Sequence, residues 1–99
     1  MDKTIEPVNF TANEDLKVQI GEIFDKLTRY NDRIVSADIY MKDLKETPQG
    51  LKKVDVRVFL PGKDLFIEQE ADSYISAAQQ GFDRLKVLLK KEKDKALKY

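Results

Sequence analysis

Between two stretches whose apolar residues recur at the helical period lies a central stretch where the period drops to two, and that switch decides the fold class. In residues 34–43, Ala37, Ile39 and Met41 point one way while Asp38, Tyr40 and Lys42 point the other. The alternation returns as Val54, Val56, Val58 and Leu60 against Asp55, Arg57 and Phe59. It returns again as Leu65, Ile67, Gln69 and Ala71 against Phe66, Glu68 and Glu70. Pro61-Gly62 between the last two runs supplies the fixed φ and the positive φ of a type II turn. These runs predict a meander of three strands with one apolar face, which needs cover.

The flanking stretches supply it. Asn13 is placed to cap a helix that is expected to run to about Tyr30, with Glu14 and Asp15 suiting the positive end of its dipole. Its stripe is Leu16, Ile20, Ile23, Phe24, Leu27 and Tyr30. Gly21 interrupts that helix at a cost of up to about 1 kcal/mol relative to Ala, which marks close packing against another element. A second helix, capped by Asp72 or Ser73, carries Ile75, Ala78, Phe82, Leu85 and Leu89 on one face. Ahead of both, Lys3 to Val8 reads as a short strand, confined by Pro7 to an edge or a strand end.

The order is β-α-β-β-β-α. A right-handed crossover through the first helix sets the first strand parallel to the second and lands both helices on the same side. The expected fold is an α+β two-layer sandwich, a four-stranded sheet with two helices on one face. At 99 residues it forms one domain spanning 1–99, with a tail after Lys93 expected to fray.

Composition narrows the chemistry. The chain holds neither Cys nor His, so it can build no disulfide, no His/Cys metal site, no Ser-His-Asp or Cys-His arrangement and no imidazole base. The four glycines form no phosphate-binding loop. A binding module is expected rather than an enzyme, with no cofactor, no metal and no small-molecule substrate. No run is long and apolar enough for a membrane span or a signal peptide, so a cytoplasmic location is expected.

The net charge of zero conceals two unlike regions. From Arg84 onward seven basic residues meet only Glu92 and Asp94, whereas the first 83 residues hold 11 basic and 16 acidic ones. Helical arithmetic gathers Arg84, Lys91, Lys95 and Lys98 opposite the apolar stripe, with Lys86 and Lys90 along one flank. Lys26, Arg29 and Arg33 lie at i, i+3 and i+7, and share a face if helical geometry persists to Arg33. A lysine-rich helix end also suits the dipole as a plain solvated end, so the pattern alone leaves both readings open. On the outer face of the sheet, Tyr40, Phe59 and Phe66 are expected to pack across strands, or else to stack unpaired bases or to offer a protein contact or a homodimer interface.

The run Leu27-Thr28-Arg29-Tyr30-Asn31-Asp32-Arg33-Ile34-Val35-Ser36-Ala37-Asp38 resembles the junction of first helix and second strand in the hibernation promoting factor and ribosome-associated inhibitor proteins, also known as sigma-54 modulation proteins. Phe59-Leu60-Pro61-Gly62, the acidic strand end after it and Asp83-Arg84-Leu85 are similar too. The resemblance spans nearly the whole chain and corresponds to the family's short form. It implies a fold like a double-stranded-RNA-binding domain. It also implies a stress or stationary-phase factor that binds rRNA in the decoding region of the small ribosomal subunit and keeps idle ribosomes inactive. The positions matching the family's rRNA-binding residues are Lys26, Arg29, Arg33, Arg84, Lys90, Lys91 and Lys93, and Lys86 joins them by its place on the flank of the second helix. Val87 and Leu88 depart from the family, which carries polar or basic residues there.

Overall fold

The computed structural model describes residues 1–97. Its order is β1 (Asp2–Pro7), α1 (Glu14–Asp25), a 3-10 turn (Lys26–Arg29), β2 (Ser36–Asp43), β3 (Lys52–Leu60), β4 (Lys63–Ala71) and α2 (Tyr74–Leu97). The strands lie side by side in chain order, β1 parallel to β2 and the rest antiparallel. The register brings Ile5, Ile39, Val56 and Ile67 into one row across all four strands. That row, with Ala37, Met41, Val54, Val58 and Leu65, forms the apolar floor of the core. The expected α+β sandwich is therefore the observed one.

Both helices cover that floor, and each approaches an edge strand through a glycine. A Cβ on Gly21 of α1 would lie 2.9 Å from Lys3 Cε and 3.3 Å from Ile5 Cδ1 of β1. A Cβ on Gly81 of α2 would lie 3.0 Å from Ile67 Cδ1 of β4. These contacts set α1 over the β1 side and α2 over the β4 side. The stripe of α2 is wider than its sequence period suggests, because Ala77 is also fully buried and Leu88 packs against the core from the β4 side. Leu88 is thus half-buried against the core, which accounts for its apolar character.

Capping follows the sequence closely. Asn13 Oδ1 accepts the Leu16 N–H at 2.8 Å, and Ser73 Oγ accepts the Ser76 N–H at 3.1 Å. The Tyr74 ring stacks on Phe10 with centroids 4.7 Å apart, joining the start of α2 to the loop before α1. Burial, with the nearby Asp43 charge, pushes the Tyr74 hydroxyl up to about 12.

The first helix differs from expectation at its end. The α-helix stops at Asp25 and tightens into the 3-10 turn, where the Thr28 hydroxyl donates to the Asp25 carbonyl at 3.1 Å and the Tyr30 N–H donates to the Leu27 carbonyl at 3.0 Å. Helical geometry therefore does not persist to Arg33. The third strand begins two residues earlier than its alternation predicts, since Lys52 and Lys53 pair with Asp43 and Lys42 and the Lys52 ammonium sits 3.0 Å from the Asp43 carboxylate. At the other end of the chain α2 continues to Leu97; the part of the expected frayed tail that falls on Lys98 and Tyr99 lies outside the described residues. Among the described residues no helix is long and apolar enough to cross a membrane.

Candidate nucleic-acid interface

One buried amide organises the helical side. Asn31, 2% exposed, follows the 3-10 turn and donates from Nδ2 to the Leu89 carbonyl of α2 at 3.3 Å, while its Oδ1 accepts the Arg33 N–H at 2.9 Å. Leu27 is fully buried beneath the turn. The turn is thereby pinned against the middle of α2, and exposed Lys26 and Arg29 ride on it.

Tyr30 stands at that junction. Its ring meets Phe82 edge to face at 5.9 Å, the Lys90 ammonium lies 5.1 Å from its centroid, and the Lys86 ammonium lies 5.9 Å from it. Lys93 continues the same flank of α2, three residues beyond Lys90. Five of the eight predicted cations, Lys26, Arg29, Lys86, Lys90 and Lys93, thus belong to the side where the turn meets α2. Spacing alone places Tyr30 on the core stripe. Nothing local could show that its ring would sit among lysines more than 50 residues away in the chain.

The other three stand apart. Arg84 projects from the opposite flank, where its Nη1 donates to the Glu68 carbonyl of β4 at 2.7 Å and to Gln69 Oε1 at 3.0 Å. A chain of side-chain bonds continues from Gln69 to Gln80 at 2.8 Å and from Gln80 to Ser76 at 3.1 Å. Lys91 follows Arg84 at i+7 and is exposed. Between the flanks Val87 is 49% exposed and lines a shallow cavity with Asp83, Arg84 and Leu88. Arg33, carried off the helical line by the Asn31 turn, lines a separate cleft with Pro61, Lys63, Glu92 and Lys95. The condition for Arg33 to share a face with Lys26 and Arg29 is not met.

Charge pairing separates the two sides of the molecule. On the outer sheet face Lys42 and Lys53 lie 3.8 and 3.6 Å from Asp55, Lys53 also lies 3.6 Å from Glu68, and Arg57 lies 3.4 Å from Asp64. Every cation on that face has a carboxylate partner. Among the eight predicted residues only Lys86 has one within 4 Å among the described residues, Asp83 at 3.6 Å. Unpaired ammonium and guanidinium groups on a rigid helix pair are what phosphate binding requires.

The expected cross-strand packing of Tyr40, Phe59 and Phe66 is not found. The register sets Tyr40 opposite Asp55, Phe59 opposite Ser36 and Asp64, and Phe66 opposite Arg57, so each ring faces a polar or charged partner rather than another ring. Arg57 lies 5.0 Å over Phe66, which stays 46% exposed.

The fold has close counterparts among solved structures. The N-terminal domain of Protein Y from Thermus thermophilus superposes with a TM-score of 0.79 at 20% identity, covering 92% of this chain and 98% of that one. A ribosomal subunit interface protein from Coxiella burnetii gives 0.82 at 19% identity, covering 95% and 99%. No curated relative matches the sequence. The family model for sigma 54 modulation protein / S30EA ribosomal protein matches residues 4–97, and with nearly the whole chain aligned to it the protein belongs to that family.

Proposed function

We propose that this protein is a ribosome-associated translation inhibitor that occupies the decoding region of the small subunit and keeps idle ribosomes inactive under stress. The observation that carries the reading is the band of cations around Tyr30, which lacks carboxylate partners among the described residues except at Lys86. Family membership and the fold shared with a ribosomal subunit interface protein support it. Lys26, Arg29, Lys86, Lys90 and Lys93 hold rRNA phosphates, with Lys91 and Arg33 extending the contact on either side. Structured RNA is bound largely through backbone, 2′-OH and shape, so such a surface needs no base readout to seat the domain. Bound there, the domain excludes other ligands by occupancy, and no catalytic group is required. The whole chain acts as one domain in the cytoplasm.

Sedimentation with purified small subunits through sucrose gradients tests this. Comigration is expected at low salt, with log affinity falling by about 0.7 to 0.9 per log unit of salt for each phosphate contacted. Absence of comigration at the lowest salt overturns the proposal. A second reading, association through the outer sheet face, draws on the exposure of Phe66. It predicts that polar replacement of Tyr40, Phe59 and Phe66 abolishes association while Lys86 and Lys90 variants leave it intact.

A further inference from the structure

Apart from the cation band, a cleft of about 260 Å³ opens between the β3–β4 turn and the second half of α2. One wall is fixed by Pro61 and by Gly62, whose φ of 75° only glycine adopts without strain. The other wall is α2, held by the buried Asn31 bond to Leu89. Glu92 and Lys63 span the cleft at 2.7 Å, and Lys95 meets the same Glu92 oxygen at 3.5 Å. Arg33 completes the rim, with no carboxylate within 4 Å among the described residues.

We propose that this cleft receives one unpaired guanine of the bound RNA, with Glu92 and Lys63 reading its Watson–Crick edge and Arg33 on the rim meeting its phosphate. The inference rests on the reading that the neighbouring cations face RNA. The volume lies below the roughly 300 Å³ at which pockets begin to hold drug-sized ligands, and so suits a single base. Its donors and acceptors select among bases. An ionised carboxylate only accepts, and an ammonium only donates. Guanine alone presents two adjacent donors, N2–H and N1–H, followed by the O6 acceptor, and this order matches a carboxylate with an ammonium beside it. Adenine and cytosine place an acceptor next to their single amino donor, and uracil flanks its one N–H with two carbonyls. Each of these sets an acceptor against Glu92. The Lys63 hydrogen bond, seconded by the charges of Lys63 and Lys95, holds the Glu92 carboxyl below the usual carboxylate range against the opposing effect of burial, so it is an acceptor at neutral pH.

Titration of the full chain with guanosine, adenosine, cytidine and uridine 5′-monophosphates, followed by backbone amide NMR, tests the cleft. Guanosine monophosphate should shift the Asn31, Arg33, Gly62 and Glu92 amides and bind at least about fivefold more tightly than the uridine nucleotide, the lower end of the discrimination that a two-point base contact gives. The isosteric Glu92→Gln substitution should erase the preference while leaving phosphate-driven binding. Equal binding of all four nucleotides by the unaltered protein overturns the proposal, as does a guanine preference that survives in E92Q. Guanine preference in a chain that fails to comigrate with small subunits supports the cleft and overturns the ribosomal reading. Comigration without guanine preference does the reverse.

Discussion

The two flanks of α2 carry the same kind of residue and use it differently. Toward the 3-10 turn, Lys86 and Lys90 lie over the Tyr30 ring with Lys93 beyond them, and among the described residues only Lys86 of the three meets a carboxylate. Toward β4, Arg84 is bound to a strand carbonyl and a glutamine. The Glu68 carbonyl lies on an edge strand, where an unpaired ladder invites association with another chain. Arg84 closes that position. The groups already within reach of each cation, Glu68 and Gln69 for Arg84, therefore set how free it is to meet a phosphate.

The largest effect should come from reversing the turn-facing flank. Lys86→Glu together with Lys90→Glu is expected to weaken small-subunit comigration on the order of tenfold or more and to flatten its salt dependence, with the midpoint of thermal unfolding little changed. Arg84→Ala should show the opposite division. Loss of charge-assisted bonds by an exposed side chain costs about 1 kcal/mol, which for a chain of this size lowers the unfolding temperature by about 4–8 °C. Its comigration should stay close to that of the unaltered protein. If R84A loses ribosome binding at unchanged stability, the difference between the flanks collapses. The smallest effect is expected on the ridge between them. Val87→Lys adds one cation beside Arg84 and should steepen the salt dependence by less than about one unit, read from the same gradients.

Much of the architecture was legible in the residues. Period two against period 3.6 separated strands from helices, and Asn13 and Ser73 marked the helix starts they do cap. Gly21 within a helical period signals close packing, and β1 lies against it. What failed had a common cause. Leu27 and Tyr30 fit the period of the α-helix and so extend it to Tyr30 on paper, yet hydrogen bonds local to Thr28 and Tyr30 tighten the last turn without disturbing that spacing. The outer aromatics were placed correctly by parity, but parity names a face and not a neighbour. Only the strand register showed that Tyr40, Phe59 and Phe66 meet Asp55, Asp64 and Arg57.

The candidate site followed the same division. Eight basic positions could be named from charge, helical spacing and family resemblance, because those depend on residues near one another in the chain. Their sorting could not. Lys86 and Lys90 join Tyr30, Arg84 joins β4, and Arg33 joins Lys95 and Glu92 across a cleft beside the bond from the Asn31 side chain to the Leu89 carbonyl, 58 residues away. The sequence by itself determined the periods, the caps and the concentration of positive charge at one end. Tertiary structure alone decided which cations remain without partners, because pairing depends on distances of a few ångströms between elements that the chain sets far apart.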